Sequence, residues 1–283
     1  MIDLKKDATQ FLCCPVCHGE LALETEMISG DEVVSGFLEC NKCRIDYKIH
    51  DEIPDFVLPD LMNRTDEKWM RAYDGMARSY DLMMGIIIPF FSLGSEPFER
   101  RTWVNQLRAK PGDHVLDIST GTGRNLQLLA KKVGQNGRIS AMDISNGALS
   151  YAKAKTRKGK PKNVDLQRAN ASYLPYKNNT FDAIIHVGGI NTFGDKKKAL
   201  EEMIRVAKPG GWMVIVDEGL APSEQNSFVG KFLLKTNGLY ACKPPTELLP
   251  KKVAGLQVRW KIIANRFLPI WPFYNMEFQK SAA

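Results

Sequence analysis

The chain predicts an α/β fold, a mostly parallel sheet with helices on both faces, behind a small N-terminal module of its own. Three observations carry that expectation. Between Val115 and Asp217, apolar, β-branched runs alternate with amphipathic helical stretches, the arrangement that builds parallel sheets. At the head of this region, Val115 to Asn125 passes from an apolar run ending in Asp117, through Gly121 and Gly123, into a helix start. Finally, five of the six cysteines lie in the first 43 residues, four of them in two Cys-x2-Cys pairs.

A chain of 283 residues suits one large domain or two modest ones. The natural division is residues 1–60 as the cysteine module and 61–283 as the α/β domain, with a helical lead-in over 61–110. Charge follows the same division. Residues 1–60 hold 5 Lys/Arg against 13 Asp/Glu, net −8, and the remainder holds 34 against 19, net +15. An acidic module that docks on its own basic body is the simpler explanation. A body that meets an anionic partner, RNA or a membrane surface, is the functional one. Met1 to Asp7 lacks the apolar core of a signal peptide. The longest apolar run, Leu82–Leu93, is 12 residues and too short to cross a bilayer. A cytoplasmic protein is expected, with peripheral membrane contact open to it.

Cys14-Pro15-Val16-Cys17 and Cys40-Asn41-Lys42-Cys43 stand 22 residues apart. Two close pairs of thiolates make the tetrahedral sulfur cage that zinc prefers, with no open position for catalysis. One structural Zn2+ on Cys14, Cys17, Cys40 and Cys43 is therefore expected, with Cys13 a spare. Glu20–Leu23 and Gly36–Glu39 read as short ribbon strands, and His50 as a surface residue. Next, 67–73 and 76–81 place aromatic and aliphatic residues at helical spacing. Leu82–Leu93 follows as a lid or a piece of core. A helix is expected from Glu96 to about Leu107.

The α/β region reads as strands at 115–118, 138–143, 164–168, 181–187 and 212–217, and helices at 126–133, 146–156 and 197–206. Ser145 is placed as an N-cap, and Lys208–Gly211 reads as a turn. Farther on, 228–239 suggests a helix, 244–249 a helix start, and 258–278 two strands joined by a turn.

The glycine turn marks a binding site. Glycines let backbone approach a ligand, and a helix start offers unpaired N–H groups. About 20 residues on, a second strand ends in Asp143, where a carboxylate suits ribose hydroxyls. Acid-x-small-x-Gly-x-Gly resembles motif I of the class I S-adenosylmethionine (SAM) methyltransferases, most of which carry glycine where this chain has Ser119. The resemblance implies a Rossmann-like, seven-stranded sheet whose last strand is antiparallel. It also implies SAM as cofactor. Asp117, Ser119, Gly121, Thr122, Gly123 and Asn125 would then hold the methionine end and the adjoining ribose face. Asp143 would hold the ribose hydroxyls, Ile144 would pack on adenine, and Asn170, beside Ala171, would meet the adenine amino group. Tyr80, in Ala77-x-x-Tyr80-Asp81, would cover the methionine end.

Further motifs narrow the likeness. Ala169-Asn170-Ala171, Leu174-Pro175-Tyr176, Asn179-Thr180-Phe181-Asp182 and Arg205-Val206-Ala207-Lys208-Pro209-Gly210-Gly211, with Tyr80-Asp81 and Ser92-Leu93-Gly94, resemble the ubiquinone/menaquinone-biosynthesis C-methyltransferases over about residues 72–218. Residues 11–57 resemble the Trm112-like zinc ribbons, which are fused to or partnered with methyltransferases. That implies a protein partner as one use of the module.

Methyl transfer is an in-line displacement on a sulfonium carbon, so alignment does most of the work. His186, at a strand end, is a candidate base or cofactor contact, although a buried histidine with a structural partner is the preferred reading. Asn191 and Tyr80 are the other catalytic candidates. No Asn/Asp-Pro-Pro-Tyr motif, Pro-Cys nucleophile or Cys-x3-Cys-x2-Cys run is present. The favoured function is methylation of a small apolar or aromatic acceptor, a quinone precursor or lipid. An RNA base methyltransferase ranks below it, because an RNA-gripping ribbon should be basic. A non-catalytic SAM-binding docking protein ranks third.

Overall fold

The structure is a computed structural model describing residues 6–30, 32–87, 90, 95–159, 161, 163–264 and 269–282. Its centre is a seven-stranded sheet of β5 (His114–Ile118), β6 (Arg138–Asp143), β7 (Val164–Arg168), β8 (Phe181–Val187), β9 (Ala207–Glu218), β10 (Val253–Ala264) and β11 (Pro269–Lys280). The order is β10-β11-β9-β8-β5-β6-β7, parallel from β9 to β7, with β11 antiparallel to both β9 and β10. β5 is buried at all five residues, as expected of a strand covered on both faces. After β5 the chain moves outward to β6 and β7, then returns to lay β8 on the other side of β5. That reversal opens a crevice at the carboxyl ends of β5 and β8.

Six helices are described: α1 (Arg64–Leu82), α2 (Ser95–Gln106), α3 (Leu126–Val133), α4 (Asn146–Gly159), α5 (Lys196–Val206) and α6 (Phe228–Thr236). Ser145 caps α4 as expected, its Oγ accepting from the Ala148 N–H at 3.0 Å. α1 is continuous across the two stretches read from the sequence. Its start is held by Asn63, which accepts from the Asp66 N–H at 2.9 Å.

Several expectations are corrected. Lys208–Gly211 is not a turn before the strand but lies inside β9. Phe181 pairs with Ala207 and Ala183 with Trp212, so the extra residues bulge out between the two registers, with Gly210 at φ +76°. The segment at 244–249 forms only a 3-10 turn, Thr246–Leu248. Of the Leu82–Leu93 run, the described residues, 82–87 and 90, lie mostly outside the core, and the remaining positions lie outside the described residues. α1 runs into a π-helical turn, Met83–Ile87, where only Met84 is buried while Leu82, Met83, Ile86 and Ile87 are exposed. Ser92-Leu93-Gly94 and the turn at 265–268 lie outside the described residues.

The N-terminal module is an antiparallel meander of β1 (Leu21–Ser29), β2 (Glu32–Cys40), β3 (Asp46–His50) and β4 (Ile53–Pro54), its first two strands longer than the sequence suggested. It docks on the free edge of β7. The Phe56 N–H donates to the Arg168 carbonyl at 2.8 Å, and Asp55 forms a bridge with Arg168. An unpaired strand edge is thereby covered. Leu12, Val33, Leu38, Tyr47 and Phe56 of the module share one buried cluster with Leu116, Tyr176 and Phe181 of the sheet domain. The acidic module meets basic residues here, as the charge division suggested. Lys153, its side chain 5 % exposed, pairs with Asp51 and Glu52 at 2.7 Å each; Arg157 also reaches Glu52, and Arg168 reaches Asp55.

Lys153→Ala should destabilise the protein by about 3 kcal/mol in urea unfolding, because it removes the buried ammonium that pairs with the largely buried Glu52. A loss below about 0.5 kcal/mol would show that the ribbon docks by apolar contact alone.

Candidate active site and metal centre

The turn after β5 depends on three positive-φ residues, Ser119 (+55°), Gly121 (+55°) and Gly123 (+76°). Ser119 thus occupies a left-handed conformation that a side chain tolerates poorly, which explains why glycine suits this position. A Cβ on Gly121 would point into open space, whereas one on Gly123 would stand 3.0–3.1 Å from Leu126 and Ala152. Gly121 therefore opens the cavity, and Gly123 lets α3 approach α4.

Asp143, from the end of β6, pins this turn. Its Oδ2 accepts from the Gly121 N–H at 2.8 Å and its Oδ1 from the Ser145 N–H at 2.9 Å. Burial raises its pKa, and these backbone donors oppose the rise. Around it lies a cavity of about 110 Å³ lined by Ser119, Gly121, Thr122, Asp143, Ile144, Asn170, Ala171 and Tyr80, all expected from the sequence.

α1 forms the opposite wall with Trp69, Tyr73, Ala77 and Tyr80. Three aspartates hold the helix there. Asp66 accepts from Asn170 Nδ2 at 3.0 Å and from the Gly194 N–H at 2.9 Å. Asp74 accepts from Ser145 Oγ at 2.6 Å and the Gly147 N–H at 2.9 Å. Asp81 accepts from Thr122 Oγ1 at 2.7 Å and pairs with Lys155. Asp66, Trp69 and Tyr73 were not singled out from the sequence as site residues. The available signal was the helical spacing of Trp69, Tyr73, Ala77 and Tyr80, which packing would also explain.

Four expected contacts belong elsewhere. Asp117 is fully buried beneath the turn, accepting from Thr120 Oγ1 at 2.7 Å and from Asn125 Nδ2 at 3.3 Å, and burial pushes its pKa up to about 6. Asn125 is spent between Asp117 and Arg100, and Gly123 lies against α4. These three residues shape the turn from behind rather than line the cavity. His186 is fully buried. Its Nδ1–H donates to the Ile118 carbonyl at 3.0 Å while Nε2 accepts from the Ile190 N–H at 2.9 Å. With both nitrogens occupied and its pKa lowered to about 4 by burial, it is a structural histidine and not a base. Asn191 is likewise committed, donating to the Glu218 carbonyl and accepting from the Tyr274 hydroxyl. Asn170 lines the cavity, but its amide N donates to Asp66 and its Oδ1 accepts from the Ser172 N–H at 2.9 Å.

A second chamber of about 280 Å³ shares Tyr73, Tyr80, Gly188, Gly189 and Thr192 with the first. Its other walls are Met83, Met84, Leu239, Tyr240 and Trp271, with Asp217 and Glu218 at the end of β9.

In the ribbon, the Sγ atoms of Cys14, Cys17, Cys40 and Cys43 all lie within 4.8 Å of one another. Cys14 and Cys43 are 3.5 Å apart and Cys17 and Cys40 3.4 Å, close to the roughly 3.7 Å edge of a zinc tetrahedron with 2.3 Å bonds. A Cβ on Gly19 would stand 3.1 Å from Cys40 Sγ and 3.3 Å from Cys17 Sγ, so glycine leaves room for the cage. The four donors fit a structural zinc. Cys13 is buried apart from them, and burial raises its thiol to about 11. His50 is exposed, as expected.

A crevice at the sheet's switch point, an acid-pinned glycine turn and a helical cover define a Rossmann-like nucleotide-type site on a methyltransferase fold. The chain belongs to the ubiE/COQ5 methyltransferase family, which matches residues 61–227, and residues 5–52 match the Trm112p-like proteins. It is 37% identical over 142 residues to the ubiquinone/menaquinone biosynthesis C-methyltransferase of Stenotrophomonas maltophilia, covering 50% of this chain and 54% of that protein. It is 31% identical over 152 residues to the demethylmenaquinone methyltransferase of Alkalihalophilus pseudofirmus, covering 54% and 63%. The chain thus spans little more than half the length of these relatives. Among solved structures, a complex between the Haloferax volcanii Trm112 methyltransferase activator and a candidate methyltransferase aligns with a TM-score of 0.53 at 17% identity, over 75% of this chain and 98% of that one. That likeness concerns fold.

Metal analysis of the purified protein should return about one zinc per chain, and Cys14→Ser combined with Cys40→Ser should abolish it along with the folded ribbon. Full metal retention in the double variant would exclude the four-cysteine centre.

Proposed function

We propose that the chain binds SAM in the first cavity and transfers its methyl group to a small, apolar or aromatic acceptor in the second chamber. The supporting observation is the shared wall. Tyr73, Tyr80, Gly188, Gly189 and Thr192 face both spaces, so two ligands would meet there end to end. The residues present fit the cofactor. Asp143 lines the cavity, and beyond its backbone donors its carboxylate offers an acceptor to ribose hydroxyls. Asn170 Oδ1 and the Asp66 carboxylate offer acceptors to an exocyclic amino group, and Ile144 offers an apolar face for the base. When bound, SAM supplies an electrophilic methyl on an already activated leaving group. The protein's part is then to align the acceptor and exclude water. Met83, Met84, Leu239, Tyr240 and Trp271 suit an apolar acceptor, and the names of the quinone-pathway relatives agree with that class.

The acceptor's source, in this reading, is a membrane surface. α6 exposes Phe228, Val229 and Phe232 beside Lys231 and Lys235, and it leads directly into Leu239 and Tyr240 of the chamber wall. Among the described residues no helix is long and apolar enough to cross a membrane, so the contact would be peripheral. Asp51, Glu52 and Asp55 of the ribbon are engaged with the sheet domain of its own chain, and the likeness of residues 5–52 to the Trm112p-like proteins supports a protein partner on the module's remaining surface.

Calorimetric titration should show SAM binding that Asp143→Ala weakens by at least about tenfold, the loss of a charge-assisted contact. Unchanged affinity would exclude the cofactor assignment. For the acceptor, labelled SAM incubated with cell extract should place label in the organic-soluble fraction. Label confined to RNA would replace this reading with base methylation of RNA.

A further inference from the structure

The polar side chains at the strand ends are committed to loops, as Asp217 is to the N–H groups of Gly189, Asn191 and Glu218. A surplus of another kind stands on the outer side of the glycine turn. There the end of α1, the starts of α2 and α3, and Lys155 of α4 border an open groove of about 980 Å³. Five cations line it, Arg78, Arg100, Arg101, Arg124 and Lys155, against one acid, Asp81. Behind them, Arg100 Nε and Arg124 Nη2 share the two oxygens of one buried carboxylate, Glu96, at 2.8 Å each. Lys155 pairs with Asp81. The groove therefore keeps an excess of three positive charges. Arg78 and Arg101 are exposed, and among the described residues neither makes an ion pair. Arg124 Nε is buried with no hydrogen-bond partner among the described residues. Burial, then the Arg100 charge, lower the pKa of Arg124, with Glu96 opposing. A guanidinium crowded by a second cation and short of an acceptor favours an anion beside it. The start of α3 acts in the same sense, since its N-cap, Asn125, makes no side-chain cap bond.

Between the cations the walls are apolar. Leu82, Ile86, Pro97 and Leu128 line the same groove. Leu82 and Ile86 are also exposed, 53 % and 63 %, as are Met83, Ile87 and Phe90 beside them. The same π-helical turn gives Met83 and Met84 to the wall of the second chamber. One exposed apolar turn thus stands between a basic groove and an apolar chamber. A bilayer surface has the matching order, with acyl chains to receive the turn and anionic headgroups just above them. A soluble phosphate would satisfy the cations and leave the exposed turn in water. Nucleic acid would meet the same cations, but Tyr151 is the one aromatic lining the groove on which a base could stack.

We infer that this groove binds the phosphate headgroups of anionic phospholipids, seating the protein on a membrane with the turn at 82–87 in the acyl boundary and the second chamber beside it. This deepens, and rests on, the reading above that the acceptor comes from a membrane surface. Arg78 and Arg101 draw the headgroups in, and Arg124 offers a phosphate oxygen the N–H that the chain leaves unbonded. The apolar residues of α6 enter the same surface, since they lead to Leu239 and Tyr240 of that chamber.

The test is flotation of the full chain with lipid vesicles, read as an apparent affinity. Phosphatidylcholine vesicles carrying phosphatidylglycerol should bind it at least about tenfold more tightly than phosphatidylcholine alone, and less tightly as salt rises. R78Q combined with R101Q should weaken that binding about thirtyfold, or about fivefold per guanidinium, while R78K combined with R101K keeps most of it. I86D should weaken it too, through loss of the apolar contact. SAM affinity should stay within about twofold of wild type in each variant, because none of these side chains lines the first cavity. Equal binding to the two kinds of vesicle, or wild-type binding by the R78Q and R101Q protein, would overturn the inference. Release of the wild type by millimolar inorganic phosphate would make the groove a site for a soluble phosphate and overturn the lipid assignment, as would RNA binding lost in that variant while vesicle binding is kept. Failure of the vesicle arms with SAM binding and organic-soluble label intact would remove this inference alone. Vesicle binding as expected without SAM binding would remove the methyl-transfer reading and leave the lipid groove standing.

Discussion

The hydrogen bonds that three aspartates of α1 make across the strand ends turn an open crevice into an enclosed site. Asp66, Asp74 and Asp81 are spaced 8 and 7 residues apart, so they project from one side of the helix. Each finds a different loop: Asp66 the Asn170 and Gly194 turns, Asp74 the start of α4, and Asp81 the glycine turn and Lys155. The helix that supplies Trp69, Tyr73 and Tyr80 to the cavity is therefore positioned by polar bonds rather than by apolar burial. Ala77 is one of its few buried residues. A cover attached in this way can separate from the strand ends without opening the core, because hydrogen bonds at a cavity rim are individually modest.

Beneath that cover, polar residues divide their labour by depth. The deepest, Asp117, His186 and Asp217, are saturated by neighbours and hold loops in place. Asp143 lines the first cavity and Glu218 the second. Each carboxyl here is raised by the cost of burying its charge, so it is position on a cavity wall that separates these acids from the scaffold acid Asp117. The N-terminal ribbon contributes at a distance. Asp55 pairs with Arg168, whose Nε donates to the Ile144 carbonyl at 3.0 Å, so ribbon docking and the residue beside Asp143 are mechanically continuous.

Much of the framework was legible in residue order. Strands β6, β7 and β8 and helix α3 fall where the apolar pattern put them, because local periodicity reports which face of an element is buried. The cysteine pairs announced their cage through spacing alone, and Ser145 its cap. The errors lie where a contact overrides local preference. Lys208–Gly211, with its proline and two glycines, reads as a turn, yet pairing of β8 with both ends of the segment absorbs it as a bulge. The apolar Leu82–Leu93 run reads as core or lid, yet most of its described residues face outward, because composition does not say whether a partner surface exists.

The sequence by itself determined the strand–helix alternation, the glycine turn with its two acids, the four-cysteine cage and the family these imply. All of these rest on neighbours within about one supersecondary unit. Only the tertiary structure decided which polar residues face a ligand. Asp117 looked like a site residue and is scaffold, satisfied by Thr120 and Asn125, and His186 is bonded by the Ile118 and Ile190 backbone, the structural reading preferred for it. Asp66 drew no notice in the sequence and stands on the first cavity, while Glu218, at the end of a strand where ligands gather, stands on the second. The physical reason is that a polar side chain's role depends on where the fold places it and which groups it brings alongside. Those groups arrive from strands and loops up to 128 residues away, as the Gly194 bond to Asp66 does.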